Sequence, residues 1–479
     1  IYIRGILYIM AKALNEVYPE ALLSVNYQLS SAMFCKIDNM EITDEMIAKV
    51  KARMQEIINQ NLEIRKVVMT KEEAEEFYSN EKTLRGIVQI DNTQKEGVSL
   101  YYCEDYFNYF FGVMPVTTAY TDVFDVIKYG DGFLVRYPSA EKPNELTNYK
   151  SNKKLLSTLE EYEDIHRVLQ IDTLYKLNKE IKEGRTSNVI LLSEALHEKK
   201  MANIADDIAK RKNVKMVLIA GPSSSGKTTF AKRLGVELRL NGLKPVTISV
   251  DNYFVERVDN PKDENGDYDF ECLEAIDLEL FNNHIKTLLD GGTIDVPIFD
   301  FKVGTKRYNG EKMHLADDEI LVIEGIHCLN DKLTSSIPME QKYKIYISDL
   351  TVLNIDYCNR ISTTDTRLIR RIVRDNNFRG YSALHTLRTW ASVNRGENKN
   401  IFPYQENCDV MFNSSLIYEL SVLKKQALPL LQEITNAEPE YAEAKRLAEF
   451  LKYFEEVDEG LIPQNSLLRE FVGGSIFGD

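Results

Sequence analysis

The sequence predicts a multidomain α/β protein: a parallel sheet with helices on both faces, preceded by an independent α+β domain. Three observations carry that expectation. The apolar run Met216-Val217-Leu218-Ile219-Ala220 has the length of a buried parallel strand, and a glycine-containing loop and an amphipathic helix follow it. Strand-like runs then alternate with helical patterns at 246–250, 294–298, 319–323, 343–347 and 409–412, the signature of a parallel sheet. Upstream, capped helices give way to aromatic, β-prone runs between 97 and 138.

A chain of 479 residues is long enough for two or three domains with full cores. The expected division is an α+β domain (1–138), a helical connector (139–213), an α/β domain built on the parallel sheet (214–420) and a helical extension (421–479). A net charge of -15 gives no global attraction to nucleic acid or an anionic membrane. The six cysteines include no C-x-x-C pair, which points to a reducing cytoplasm without structural zinc or disulfides. No apolar run nears the roughly 18 residues of a membrane helix. No signal peptide is read. The chain opens at Ile1 in what reads as mid-element, which leaves open an upstream segment whose targeting signals would be unreadable. The sequence leaves open whether the chain assembles into a homo-oligomer.

In chain order, 7–18 reads as a helix. Thr43 caps the next, with Asp44 and Glu45 in its first turn and Met46, Val50, Met54, Ile57 and Ile58 as its buried stripe. Thr70-Lys71-Glu72-Glu73 is a capping box opening a third helix. The runs 98–102 and 132–137 read as strands. Tyr106, Phe107, Tyr109, Phe110 and Phe111 read as core rather than a base-stacking platform. Polar residues 139–154 read as a linker, followed by helical patterns at 156–182 and 192–211. His166 and His197 stand alone and receive no role.

The stretch 13–78, with ALNEVYPEA and CKIDNMEITDEMIAKVKARMQEIINQNLEIRKVVMTKEEAEEFY, resembles the domain that carries the editing site of threonyl-tRNA synthetases. The resemblance implies a hydrolytic site built on an H-x-x-x-H pair and a later cysteine. Arg4 and Tyr8 hold the pair's positions, and the cysteine's neighbourhood reads Asn108 to Gly112. The scaffold is therefore expected without the editing chemistry.

Gly221, Pro222, Ser223, Ser224, Ser225, Gly226, Lys227 and Thr228 fit G-x-x-x-x-G-K-[ST] at every fixed position, and Thr229 follows. Glycines let the backbone curl so that its N–H groups face phosphate oxygens, and the helix start adds partial positive charge. Lys227 is placed to reach the terminal phosphates, and the Thr228 hydroxyl to ligate Mg²⁺. A serine-rich strand-to-helix turn is the bland alternative, disfavoured by an eight-residue match in this context. Asp251 ends the second strand and reads equally as a base or Mg²⁺ ligand and as a helix N-cap. Glu324, ending Ile320-Leu321-Val322-Ile323, is a Walker-B-like carboxylate for Mg²⁺. His327 either faces substrate or, more commonly, is a satisfied structural histidine. Arg367, Arg370, Arg371 and Arg374 share one helical face with few acids near in sequence, so they read as a face closing over triphosphate, with Gly380 as a lid hinge.

GPSSSGKTT, SVDNYF, YDFECLEAIDLELF, PIFDF, VIEGIH and TDTRLIRRIVRDNNFRG together resemble the uridine kinase and phosphoribulokinase family of P-loop kinases. The resemblance implies an ATP- and Mg-dependent kinase acting on a small-molecule alcohol. It implies Asp251 as general base, with Glu324 and Thr228, and Asp251 itself, at the metal. It further implies Asp269 as the carboxylate holding ribose hydroxyls, Arg371 at the phosphate-acceptor side, and Arg370, Arg374 and Arg379 in a lid over ATP. Phe299 and Asp300 of PIFDF, and Thr389, fall at the acceptor. The family's pyrimidine-reading histidine and glutamine fall at Gly304 or Thr305 and at Thr389, and a tyrosine position holds Phe299. The acceptor is thus expected to be a nucleoside, with uridine the default, or another sugar-like alcohol. The stretch 390–404 reads equally as an acceptor-side loop and as plain surface. The helix at 441–457 is expected to dock on the kinase through Ala444, Leu447, Ala448 and Leu451. Two rivals remain: an RNA-associated ATPase switch using the synthetase-like domain, which the acidic charge and absent basic clusters disfavour, and residual aminoacyl ester hydrolysis.

Overall fold

The computed structural model describes residues 1–79, 90, 97–140, 142–149, 151–262, 266, 268–300 and 303–478. They group into two compact units: 1–185 with 351–362 and 446–455, and 186–350 with 363–445 and 456–479.

In the first unit, α1 (Tyr2–Val17) is buried from Gly5 through Leu14, because its apolar residues surround the axis rather than forming a stripe. It starts a turn earlier than expected. Strands β1 (Leu23–Gln28) and β2 (Ala32–Ile37) form a hairpin, and α2 (Asp44–Asn59) follows. Thr43 caps α2 by accepting from Met46 N–H at 3.2 Å, and all five expected stripe residues are buried. Strand β3 (Arg65–Thr70) runs into α3 (Lys71–Ser79) through the capping box: Thr70 N–H donates to Glu73 Oε2 (2.8 Å), and Glu73 N–H to Thr70 Oγ1 (3.2 Å). Sequence reading missed β3 because five of its six residues are exposed and show no alternation. Then come β4 (Gly97–Cys103), β5 (Tyr106–Tyr109), β6 (Asp125–Tyr129) and β7 (Gly132–Arg136). They complete antiparallel sheets of order β1-β2-β7-β6 and β3-β4-β5.

The helical run read as 156–182 is two helices, α4 (Lys153–Leu169) and α5 (Leu174–Lys182). Gln170 takes a left-handed conformation (φ 58°) and ends the first. Residues 351–362 are built into this unit by hydrogen bonds: Asn354 Nδ2 donates to Val25 O (3.0 Å), Asn359 Nδ2 to Tyr109 O (3.1 Å), and Phe111 N–H to Asn359 Oδ1 (2.7 Å).

In the second unit, α6 (Thr186–Lys210) precedes β8 (Met216–Ala220), α7 (Lys227–Leu240) and β9 (Lys244–Ser249). Next are α8 (Leu278–Leu289), β10 (Thr293–Asp300), β11 (Thr305–His314), β12 (Glu319–Glu324) and β13 (Lys342–Ser348). The chain closes with α9 (Thr363–Arg374), α10 (Ala383–Asn400), β14 (Val410–Asn413), α11 (Glu419–Gln432), α12 (Tyr441–Leu451) and α13 (Arg469–Val472). From residue 446, α12 groups with the first unit, not with the kinase sheet on which it was expected to dock.

Five strands form the parallel sheet, in the order β14-β13-β8-β12-β9. Strand β8 is fully buried because both its faces are covered, and its uninterrupted apolar run reflects that. One expected member is absent: β10 pairs antiparallel with β11 in a separate two-stranded sheet. Its burial alternates, and Pro297, which has no N–H to give a central ladder, sits beside a register shift. The strand order reverses at β8, so the crevice beyond that strand's carboxyl end is where an open sheet of this kind takes a ligand.

Candidate active site

The loop between β8 and α7 lies at that crevice. Gly221 has no room for a side chain, since a Cβ there would stand 1.9 Å from Ile347 O. Gly226 (φ +84°) and Ser224 (φ 59°) are left-handed, which turns the backbone into a curl at the start of α7. Lys227 Nζ arches back to Gly221 O (2.9 Å) and Pro222 O (3.0 Å). The Ser224 and Ser225 hydroxyls are buried without a hydrogen-bond partner. Unpaired buried hydroxyls, a lysine held over the curl and the main-chain N–H groups of a helix start fit a phosphate chain.

Acids from distant parts of the chain brace this loop. Glu397, 0 % exposed, accepts from Ser223 N–H (2.8 Å) and grips Arg367 through both oxygens (2.6 and 2.8 Å). Arg367 donates in turn to Ser223 O (3.1 Å). Arg370 is 1 % exposed, paired with Glu419, and donates to Ser224 O (3.3 Å) and Ser414 O (2.9 Å). The arginine face was expected to have few acids near it and to close over triphosphate. The structure instead places Arg367 and Arg370 against main-chain carbonyls of the loop, with Glu397, Glu419 and Asp349 around them. Arg371 donates to Ser223 Oγ (2.8 Å). Buried Asp375 gathers Arg371 (3.3 Å), Arg374 (2.8 Å) and the half-exposed Arg379 (3.6 Å). Burial depresses the pKa of Arg371 and Arg379, with Asp375 opposing. Gly380 follows in a left-handed conformation (φ +69°).

Asp251 stands just past β9, open to solvent in a recess of the protein. Partial desolvation raises its pKa, and the charges of Lys227, Arg379 and Arg374 oppose the rise. It is the second residue of the short 3₁₀ turn Val250–Tyr253, whose N-cap position is Ser249, so Asp251 is not that turn's N-cap. Glu324 ends β12 between β8 and β9. Burial and then the Asp251 charge push its pKa above the usual carboxylate range, while Ser249 Oγ donates to its Oε1 at 2.7 Å. Thr228 is exposed at the mouth of the loop. Two carboxylates and a hydroxyl fit Mg²⁺, which is usually held by one or two carboxylates with phosphates and water. Among the described residues, no cluster of three His, Cys, Asp or Glu forms an all-protein metal cage.

On the acceptor side, Asp269 Oδ1 accepts from Glu271 N–H (3.1 Å), which fixes a turn. Glu271 is the carboxylate that feels the loop. Burial first, then Glu397, push its pKa up to about 7, against the pull of Arg371 and Lys227. The sequence reading stopped two residues short of it, although both acids lie in one YDFE string. Phe299 is buried against Phe254, with ring centroids 5.5 Å apart. Asp300 Oδ1 accepts from Val303 N–H (3.3 Å), and Thr389 Oγ1 is hydrogen-bonded to its own helix at His385 O (3.2 Å) and Thr386 O (3.1 Å). A side chain at Gly304 would run into Arg257. Buried His327 has its pKa lowered to about 4 by desolvation.

The profile of the Phosphoribulokinase / Uridine kinase family matches residues 216–419. The uridine kinase of Bacillus subtilis is 27% identical over 222 residues, which are 45% of this chain and 96% of that protein. The uridine kinase of Ligilactobacillus salivarius is 30% identical over 187 residues, 39% of this chain and 78% of that protein. A solved structure described as a possible uridine kinase from Bacillus stearothermophilus is 17% identical and covers 45% of this chain and 100% of that one, with a TM-score of 0.30. No helix among the described residues is long and apolar enough to cross a membrane. By its profile match and its identity to these relatives, the chain belongs to the phosphoribulokinase/uridine kinase family and is an ATP-dependent kinase.

Proposed function

We propose that the chain transfers the terminal phosphoryl group of ATP to a hydroxyl of a nucleoside, with uridine, the acceptor in its relatives' names, as the first candidate. The observation that carries this is Asp251: a carboxylate with a raised pKa, within the field of Lys227, at a strand end two places from the loop strand. In this reading the nucleotide's phosphates lie on residues 221–229. Asp251 orients the acceptor hydroxyl and takes its proton, and its raised pKa makes it a better base than an ordinary carboxylate. Lys227, Arg371, Arg374 and Arg379 supply positive charge to the transferring group. Thr228, Glu324 and Asp251 would hold Mg²⁺, which would neutralise phosphate charge when bound. Glu271 joins Asp269 as a candidate for binding the acceptor's other hydroxyls.

A second acceptor class, a sugar-like alcohol without a base, is favoured by one observation. The Thr389 hydroxyl is spent on its own helix, and Phe299 and Gly304 offer no side-chain hydrogen bond. A site without such groups discriminates weakly between bases. An ADP-release screen across nucleosides and free sugars decides between the two. Turnover restricted to nucleosides supports the first reading, and turnover on sugars alone supports the second.

For residues 1–138 the resemblance to the synthetase editing domain is a reading of scaffold only. Tyr8, fully buried, has its hydroxyl on Tyr101 O (3.0 Å), and Arg4 donates to Val113 O (2.9 Å), so neither position offers an imidazole for ester hydrolysis. A deacylation assay on mischarged tRNA is expected to show no activity. A salt-dependent shift of RNA in a binding assay would favour the ATPase-switch alternative.

A further inference from the structure

Residues 420–479 lie beyond the family match, and their last part forms a strap on the phosphate loop. Leu467, 1 % exposed, packs in the cluster that contains Val217, Phe230 and Leu234, and its Cδ2 lies 4.0 Å from where a Cβ on Gly226 would stand. Glu470 Oε2 accepts from Thr229 N–H at 3.0 Å. The Phe471 ring lies against the Arg370 guanidinium, 5.1 Å from its centroid. Farther along, Lys232 Nζ donates to Phe477 O (3.1 Å), and Asn377 Nδ2 to Phe471 O (3.1 Å).

Thr229 is the third residue of α7, so its N–H is one of the donors an α-helix leaves without an internal partner. In a strand–loop–helix of this kind those donors are what an anion takes. A carboxylate already holds this one, and its charge also acts on Glu324 and Arg370. A carboxylate and a phosphate oxygen cannot share a single N–H, and their like charges repel.

We propose that the C-terminal strap sets the affinity of this kinase for its nucleotide: Glu470 holds the Thr229 N–H that a nucleotide phosphate would take, and ATP seats fully only as Glu470 gives way. The inference rests on the placement of ATP on residues 221–229 given above. Truncating the strap would remove the buried Leu467, Leu468 and Phe471 and unfold its surroundings, so the test uses single substitutions at the partly exposed Glu470 in the full chain.

Calorimetric titration with Mg·ATP compares wild type, Glu470→Gln, Glu470→Ala and Lys227→Ala. Loss of a competing charge-assisted hydrogen bond is expected to tighten Kd about tenfold in Glu470→Ala, equivalent to about 1.4 kcal/mol. Glu470→Gln, which keeps an uncharged acceptor, should fall between. KM for ATP should drop in the same order with kcat held within about twofold, a split that a merely structural role would not give. Unchanged or weaker binding in Glu470→Ala overturns the proposal, because Glu470 would then brace the loop rather than compete for it. Lys227→Ala separates the two readings. If it fails to weaken Mg·ATP binding, the placement of ATP on the loop falls and this inference with it. If it weakens binding while the Glu470 variants do nothing, only the strap's role falls.

Discussion

Replacing Glu397 with alanine strips the loop of its deepest brace. The side chain is 0 % exposed, and its two oxygens satisfy the Arg367 guanidinium and the Ser223 N–H. Removing one partner of a buried pair strands the other charge, at about 3–5 kcal/mol. The orphaned Ser223 N–H adds about 1–3 kcal/mol if it stays dry. The two costs overlap, so the expected loss is about 4 kcal/mol, or about 10 °C in Tm for a unit of this size. Trp390, the chain's single tryptophan, stacks 5.5 Å from Arg367, so its fluorescence reports unfolding at this place. Urea titrations of wild type, Glu397→Ala and the double variant Arg367→Met/Glu397→Met measure the effect. The double variant should recover most of the loss, because no unpaired charge is left behind. A loss below about 1 kcal/mol in the single variant, or no recovery in the double, would refute the account of Glu397 as the partner that makes Arg367 tolerable under the loop.

Gly221→Ala is expected to abolish ATP binding, since the new methyl group would stand 1.9 Å from Ile347 O and the loop must move; calorimetry with Mg·ATP checks it. Asp251→Asn should lower kcat by at least about 100-fold with little change in Kd for ATP, whereas Lys227→Ala should weaken ATP binding as well; steady-state kinetics separates the two. Unchanged turnover in Asp251→Asn would remove that residue from its role. Glu271→Gln tests a pH effect. Glu271 is raised to about 7 in the folded chain, so it binds its proton more tightly there than when unfolded, and its contribution to stability fades as pH climbs from about 4.5 through 7. The glutamine variant should match wild type near pH 4 and exceed it near pH 8 in thermal unfolding, and equal stability at both ends would contradict the shift.

Features written in consecutive residues were legible. The Thr70–Glu73 capping box, the Thr43 cap and the phosphate loop are local, and their physics needs no knowledge of the rest of the chain. What escaped were partners brought in by the fold. Glu397 lies 30 residues from Arg367, and Glu470 lies 241 from Thr229, so no spacing rule joins them. An arginine face that looked unopposed in sequence is therefore well supplied with carboxylates. Strand β10 misled for a different reason, because a short β-prone run does not say which sheet it joins, and Pro297 was the available sign that it avoids the central one. Glu271 was missed through choosing between two acids in one short string, a choice that depends on which way a turn points.

The discontinuous first unit also bears on how the chain can be made. Residues 1–185 depend on 351–362 and 446–455, which leave the ribosome only after most of the kinase sheet has been synthesised. At about 5–20 residues per second, the amino-terminal unit waits tens of seconds or less for its missing pieces. Until Asn359 arrives, the Tyr109 carbonyl and Phe111 amide lack the partners they have in the finished protein. No single cut in the gene yields both halves whole, so each is inherited and synthesised as part of the other.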